Sequence, residues 1–387
     1  MEIGRAHYLV SLAGRNGLAA VPPAYALLDP NQLASALRRD HAADAAAALG
    51  EQIVLREKAR ARLGEDTGFL FTADGLEMMT HPAVARRRAI RLAALNLPVA
   101  DLTCGVGGDL AAVAMTGTAC LGIDRDPATT LLAQANVPKA RIVRGDSVRP
   151  PVRLEALAAI IDPSRRAAAG RRFDPAAFSP PWDAAVEILA GARAGVLKAP
   201  PGIDHSQLPL TCEVEFVQLG RSMREAAIWM GGGAKPGVRR AVLLPAGVEL
   251  DSNAPQADPT PAEPGAVLFD PESCVTRATL VLHLAHRLGA RLLDPQVAYL
   301  TSATPAFDPF CATFEVLDLI PFSVSRLKKL LRERHWKPDE IRRRAFPVEP
   351  DELRRLLGRI DGEPVTLVFT TLAGRRTVFV TRRLFPK

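Results

Sequence analysis

Three textures of apolar and polar positions follow one another along the chain. Residues 1 to about 95 read as helical. Over Asn31–Leu63, Leu33, Leu37, Ile53 and Leu55 are interspersed among Ala, Arg and Glu, a composition that favours helix. A second helix is predicted from about Pro82 to Leu95, where arginines stand beside an apolar stripe and Thr80 or the stretch around Asp74 offers cap-type residues. From Val99 the pattern changes to short apolar runs, predicted as strands at Val99–Leu102, Cys120–Ile123, Arg141–Arg144, Ala158–Ile161, Ala194–Lys198, Glu213–Leu219 and Arg240–Leu244. Helical stretches fall between several of them, at Asp109–Met115, Pro127–Ala135 and Trp182–Ala192. Strands alternating with helices imply an α/β domain with a mostly parallel sheet covered on both faces.

Asp251–Pro264 has almost no apolar content and four prolines, which predicts a mobile loop or linker. Beyond it come a strand-like start, a helix around Val275–Leu288, and a final α+β segment. That segment closes with a hairpin, Val365–Thr370 and Thr377–Thr381, turned at Ala373-Gly374. The expected organisation is a helical region 1–95, a sheet domain 96–250, a linker 251–264, a connecting segment 265–306 and a terminal module 307–387.

Composition adds a few limits. A chain of 387 residues predicts two or three domains. No apolar run is long enough for a membrane span, and the N-terminus lacks a secretory pattern. The five cysteines are scattered and never spaced Cys-x-x-Cys, which argues for reduced thiols in a cytoplasm and against a zinc site. No metal ligand set is expected. The net charge of +7 is uneven: residues 307–387 hold 17 lysines and arginines against 11 acids, so most of the excess lies there. A basic module suggests a polyanionic partner, most simply nucleic acid, although a solvated surface is the plain alternative.

The chemistry concentrates where strands end. In a doubly wound sheet, ligands bind beyond the carboxyl ends of the strands. The first strand ends in Asp101, followed by Thr103, Cys104, Gly105, Val106, Gly107, Gly108 and a helix start at Asp109. Glycines let the backbone turn sharply and approach a ligand closely. The third glycine of a dinucleotide fingerprint is missing, and carboxylates flank the turn. They disfavour a pyrophosphate and suit the ammonium and sulfonium of S-adenosylmethionine (SAM). Asp124 ends the second strand, placed for two ribose hydroxyls; Asp146, with Ser147, ends the third, placed for an adenine amino group. Cys104 reads as a packing residue rather than a nucleophile.

After the fourth strand the chain reads Asp162, Pro163, Ser164, Arg165, Arg166. Asp162 and Pro163 are the candidate catalytic positions, with Asp162 accepting a proton or hydrogen bond from the acceptor. Arg165, Arg166, Arg171 and Arg172 suit phosphate contacts or an ordinary solvated loop. Ser179-Pro180-Pro181-Trp182 follows no predicted strand and reads as a helix cap, with Trp182 as a possible stacking ring. Lys198, Asp204 and His205 are groups at the site edge. No cysteine follows the fourth or fifth strand, which disfavours covalent pyrimidine C5 chemistry. In the terminal module, Lys328, Lys329, Arg332 and Arg334 share a helical stretch, and Arg342, Arg343 and Arg344 form a second cluster.

Taken together, these motifs resemble bacterial class I SAM-dependent methyltransferases with a C-terminal THUMP-like domain. The match runs through Phe71-Thr72-Ala-Asp-Gly75-Leu-Glu77, Asp101–Asp109, Ile161–Arg166, Ser179–Pro181, Lys198–His205, Glu215–Leu219 and the basic module. The resemblance implies a Rossmann-like methyltransferase fold with a seven-stranded sheet, SAM as cofactor and RNA as substrate. This chain has Asp-Pro-Ser-Arg where enzymes that methylate a planar amino nitrogen carry Asp/Asn-Pro-Pro-aromatic. That departure leaves open a small-molecule or protein methyltransferase, or a non-catalytic SAM- or RNA-binding protein.

Overall fold

The computed structural model describes residues 1–165 and 177–385, with only the backbone of Arg165. The chain forms two compact units: residues 1–214 with 224–237, and residues 215–223 with 238–387.

The first unit opens with α1 (Ile3–Val10), α2 (Leu12–Ala20), α3 (Pro30–Leu37), α4 (Ala43–Leu63), α5 (Ala73–Met78) and α6 (Pro82–Ala93). The sheet region follows with β1 (Val99–Asp101), α7 (Gly108–Met115), β2 (Cys120–Asp124), α8 (Pro127–Asn136), β3 (Arg141–Arg144), β4 (Ala158–Ile161), β5 (Ser164–Arg165), β6 (Phe178–Ser179), α9 (Trp182–Ala190) and β7 (Ala194–Ala199). β8 (Glu213–Leu219) begins in this unit, and β9 (Ser222–Gly231) returns to it. The order β3-β2-β1-β4-β7 is parallel throughout, and β9 adds to β7 antiparallel. β1, β4 and β7 are buried along their whole length, which is why they read as continuous apolar runs rather than alternating ones. Strand order reverses at β1, whose neighbours are β2 and β4, and a crevice opens there.

Helices cover both faces. α6 and α7 pack Ala85, Ala89, Leu92, Ala112 and Val113 onto Val99, Ile160 and Val196. α8 contributes Ala128 and Leu132 to a cluster with Leu9, Leu33, Leu49 and Ile53 of the N-terminal helices. The 1–95 segment therefore shares one compact unit with the sheet. Two amides, one buried and one half-buried, fix the entry to α5: Gln52 bonds both the N–H and the C=O of Phe71, and Asn136 bonds Leu70 and the carbonyl of Val106 in the β1–α7 turn.

Local readings are corrected in four places. The helix expected over Asn31–Leu63 is two helices, the first started by an Asp29/Gln32 capping box and the second ended by left-handed Gly64. Thr80 is not a cap; Thr72 caps α5 and His81 caps α6. The strand that pairs with β7 is Ser222–Gly231, which was not predicted. Its Ala226–Met230 run is buried on both faces, so it lacks the alternation that marks a strand, and two alanines dilute the strand preference of Ile228 and Trp229. Finally, β6 precedes Ser179-Pro180-Pro181, so that motif does follow a strand, paired antiparallel to β5.

The second unit contains β10 (Arg239–Leu244), β11 (Val248–Asp251), β12 (Val267–Pro271), α10 (Ser273–Arg277), α11 (Val281–Leu288), β13 (Arg291–Asp294), β14 (Val297–Ser302), β15 (Cys311–Pro321), α12 (Val324–Glu333), β16 (Trp336–Arg343), α13 (Pro350–Leu357), β17 (Glu363–Leu372) and β18 (Arg375–Arg383). Seven of these strands form a sheet of order β13-β14-β12-β15-β18-β17-β16, in which β16 and β17, joined through α13, are parallel. α12 and α13 cover one face through Leu327, Leu331, Leu353 and Leu357 over Leu367 and Phe369. The proline-rich stretch is held on this unit rather than free: Ala257 N–H donates to Leu282 O and Ala262 N–H to Leu292 O.

Candidate active site

The crevice at the β1 carboxyl end holds a cleft of about 970 Å³. The β1–α7 turn forms its floor. Gly105 adopts φ +52°, and a Cβ built there meets nothing within 4 Å, so the turn leaves open space over the cleft that a side chain would fill. Gly108 lines the cleft as well. Gly107 does not: at φ +96° its Cβ would strike Val137 at 2.8 Å, behind the turn. Its assignment as a cofactor contact is thus corrected. Gly107 is required for the turn's conformation and packing.

Among the described residues, acidic groups dominate this cleft: eight carboxyl side chains line it against a single arginine, Arg125. Asp101 is buried and accepts from Thr103 N–H at 3.1 Å. Burial, with Asp109 nearby, pushes its pKa up to about 8. Asp124 accepts the N–H of Gly105 on one oxygen (3.1 Å) and of Asp126 on the other (2.9 Å). Each oxygen keeps a second lone pair for a vicinal diol. Burial raises the Asp124 pKa. Asp146 and Ser147 line the far wall, Asp146 turning its loop by accepting Val148 N–H.

The other end of the cleft is a buried ion network. Arg88 of α6 donates to Asp109 and to Glu225 of β9. The second oxygen of Asp109 accepts from Thr80 Oγ1 at 2.7 Å and from Lys198 Nζ at 3.3 Å, and Lys198 donates in turn to Thr80 and to Asp162. Burial opposes charge on Asp109, yet Arg88 and Lys198 outweigh it and hold its pKa at about 2. Burial likewise opposes the Lys198 ammonium, but Asp109 and Asp162 drive its pKa up. Asp109 thus lines the cleft while its oxygens are bonded to internal cations and to Thr80. Lys198 lines the edge of the second cavity and is an ion-pair partner for Asp162. Asp162 itself is fixed through its backbone, whose N–H donates to Thr103 Oγ1 at 2.7 Å.

A second cavity of about 320 Å³ lies beside the first, sharing Met78, Met79, Thr80, Asp162 and Pro163 with it. Lys198 and Phe178 line the second cavity, and Ser179, Pro180 and Pro181 line the first. Trp182 is buried against Phe178 with ring centres 6.0 Å apart, so it offers no stacking face. Cys104 is buried with Leu110, Ala133 and Val137, and burial keeps its thiol protonated. Neither Asp204 nor His205 lines either cavity; Asp204 accepts Ser206 N–H. Arg166, Arg171 and Arg172 lie outside the described residues, and of Arg165 only the backbone is described, paired with Phe178. Among the described residues, no cluster of three or more His, Cys, Asp or Glu side chains could hold a metal.

The arginine cluster of the second unit is also corrected. Arg342 bonds Asp270 and Glu340 and stacks over Phe314; Arg344 bonds Asp270 and Pro271 O; Arg343 bonds Phe346 O and Glu349. These cations hold the module together instead of facing a polyanion.

Sequence reasoning missed Arg88, Glu225, Thr80 and the methionine pair. Arg88 carried one signal: it falls on the same helical stripe as Ala85, Ala89 and Leu92, and a charge on an apolar stripe requires a buried partner.

A parallel sheet with a glycine turn after β1, an acid after β2 and an acid-proline after β4 defines a class I nucleoside-cofactor methyltransferase fold. Comparison with known proteins agrees. The chain is 34% identical over 353 residues to an uncharacterized S-adenosylmethionine-dependent methyltransferase of Mycobacterium tuberculosis, covering 87% of this chain and 96% of that protein. It belongs to the S-adenosylmethionine-dependent methyltransferases and uses SAM. A solved structure from Porphyromonas gingivalis W83, described as a candidate methyltransferase, superposes with a TM-score of 0.75 at 23% identity, covering 96% of this chain and 99% of that one. Residues 311–383 match the family described as THUMP domain-like.

The two glycines are expected to separate on substitution. Gly105→Asn, which tolerates a left-handed backbone, should lower SAM affinity at least about tenfold with little change in melting temperature. Gly107→Ala should lower the melting temperature through the Val137 clash. Calorimetric titration and thermal denaturation check both; an unchanged affinity for Gly105→Asn removes the cleft floor as the cofactor seat.

Proposed function

We propose that this methyltransferase acts on RNA by direct methyl transfer, with the cofactor in the acidic cleft and the acceptor atom brought up to Asp162 from the second cavity. The observation that carries the reading is the position of Asp162 at the boundary of the two cavities, held there by Lys198. When bound, SAM supplies a methyl group already activated on a sulfonium. The chain's own task is orientation and water exclusion. Gly105 makes room for the cofactor, Gly108 lines the cleft where a Cβ would press on Met79, Asp124 holds the ribose, Asp146 and Ser147 approach the adenine, and Asp101 faces the cationic end. Asp162 acts as a fixed hydrogen-bond acceptor for the acceptor's N–H or O–H, oriented by its ion pair with Lys198 and by its backbone bond to Thr103. Pro163 forms part of the wall between the cavities.

RNA as substrate draws support from the THUMP domain-like match and from charge that remains outward-facing. With Arg342–Arg344 internal, that charge lies on α12 and α13, where Arg326, Lys329, Arg332, Arg354 and Arg355 are exposed. Five free cysteines, and the absence among the described residues of any helix long and apolar enough to cross a membrane, are compatible with a cytoplasmic enzyme.

Three outcomes are expected. SAM affinity should rise with pH between about 6 and 7.5, by up to about tenfold per unit. Free Asp101, at about 8, is protonated there, and a bound cation favours its anion, so binding releases a proton. Asp101→Asn should flatten that slope in calorimetric titration. Asp162→Asn should cut methyl transfer to total RNA by about a hundredfold while SAM affinity stays within about threefold; full activity would remove Asp162 from the site. For RNA itself, fluorescence anisotropy across a salt series should show affinity falling steeply with salt. Replacing Lys329, Arg332, Arg354 and Arg355 with Ala should flatten the slope, whereas alanine at 342–344 should instead lower the melting temperature by stranding Asp270. Salt-independent or absent binding by the wild type would favour a small-molecule or protein substrate.

A further inference from the structure

The two cavities that meet at Asp162 differ in charge. Among the described residues the larger is lined by eight carboxyl groups and one arginine; Asp109 and Asp162 are paired to internal cations and burial favours the protonated form of Asp101, which leaves Asp74, Glu77, Asp124, Asp126 and Asp146 as its acidic lining. Among the described residues the smaller is lined by two carboxylates, Asp162 and Glu225, each already paired to an internal cation, Lys198 and Arg88. What remains at its rim is positive: Arg62 and Arg224. Arg62 spends two of its N–H groups on the carbonyls of Leu76 and Glu77, which fixes the guanidinium without neutralising it. Arg224 is exposed, and no side-chain hydrogen bond or ion pair occupies it among the described residues. His81 stands beside it with Nδ1 accepting Ala83 N–H, so the neutral ring presents Nε2–H as a further donor. The walls are apolar, formed by Met78, Val84, Pro163, Phe178 and Pro200. At about 320 Å³ the cavity is at the lower end of ligand-pocket size.

A cationic cofactor and an anionic acceptor cannot share one field. An acid-lined cleft attracts the sulfonium and repels phosphate; the adjoining rim does the reverse. Guanidinium groups suit phosphate because their forked N–H donors match its oxygens. We infer that the smaller cavity is a nucleotide subsite, in which a base fills the apolar pocket next to Asp162 and the phosphate attached to its ribose is bound by Arg224, with His81 and Arg62 beside it. This rests on the methyltransferase reading of the larger cleft and adds to it the chemistry that brings in the acceptor: a phosphorylated nucleoside, entering phosphate-side at Arg224.

The test is calorimetric titration of the full-length protein saturated with S-adenosylhomocysteine. The probes are the four ribonucleoside 5′-monophosphates, the four nucleosides and a mixed-sequence RNA decamer. At least one monophosphate should bind about tenfold or more tightly than its nucleoside. Arg224→Gln should abolish that difference, Arg224→Lys should restore most of it, and S-adenosylhomocysteine affinity should be the same in all three proteins. Tighter binding of the decamer than of any monophosphate, lost equally in Arg224→Gln, assigns the phosphate to a strand; the reverse order assigns it to a free nucleotide. Equal binding of monophosphates and nucleosides, no binding of any probe, or an Arg224→Gln protein indistinguishable from wild type would overturn the subsite. Failure of S-adenosylhomocysteine to bind the wild type would instead overturn the reading of the larger cleft.

Discussion

Everything at the active site depends on one buried arrangement of charge, the chain of contacts from Glu225 through Arg88, Asp109 and Lys198 to Asp162. Its members come from β9, α6, α7, β7 and the end of β4, so five separate elements are fixed by it. Such pairs gain little net stability over apolar packing, since desolvation offsets the attraction, but removing one partner strands a buried charge at a cost of several kcal/mol. The arrangement is therefore intolerant of change, and it leaves Asp162 as the member with an exposed side, one-third accessible, while its partner Lys198 is nearly sealed. Thr80 completes the set, a neutral hydroxyl between two charges that both need its dipole.

This arrangement also separates the two ends of the cofactor turn. Asp101 and Asp109 are eight positions apart and both buried, yet one is driven toward protonation and the other held ionised. The difference is made by the neighbours, since Arg88 and Lys198 reach Asp109 directly. A loop that reads as two equivalent acids is divided: burial governs Asp101, and two internal cations govern Asp109.

How much of this was legible depends on the range of each signal. The Asp101–Asp109 turn, Asp124 and Asp162 are local features, a strand followed by a turn and an acid, and they could be placed from the order of residues alone. The hairpin at Ala373-Gly374 was legible for the same reason, both residues taking positive φ. Arg342–Arg344 were not. A run of three arginines reads as an exposed patch, but strand alternation sends Arg342 and Arg344 to Asp270 on one side and Arg343 to Glu349 on the other. Their partner is about seventy residues earlier, where a lone aspartate carries no distinguishing mark. The cations paired with Asp109 were missed likewise, as that residue was judged by its own loop and not by the elements across from it. Strand β9 escaped because burial on both faces erased its period. In each miss, a contact distant in sequence overrode a plausible local reading.

The amide clasp at the start of α5 carries a consequence of another kind. Gln52 and Asn136 tie residues 70–71 to α4, α8 and the carbonyl of Val106, so the helix that supplies Asp74, Gly75 and Met78 to the cleft cannot open without loosening the turn beneath it. A ligand that occupies the cleft only when α5 is closed must shift that opening equilibrium by mass action, with a stabilisation growing as the logarithm of its free concentration. Protease susceptibility and amide-hydrogen exchange in the N-terminal helices would then act as a gauge of the methyl-donor pool, read at a place that holds no cofactor atoms at all.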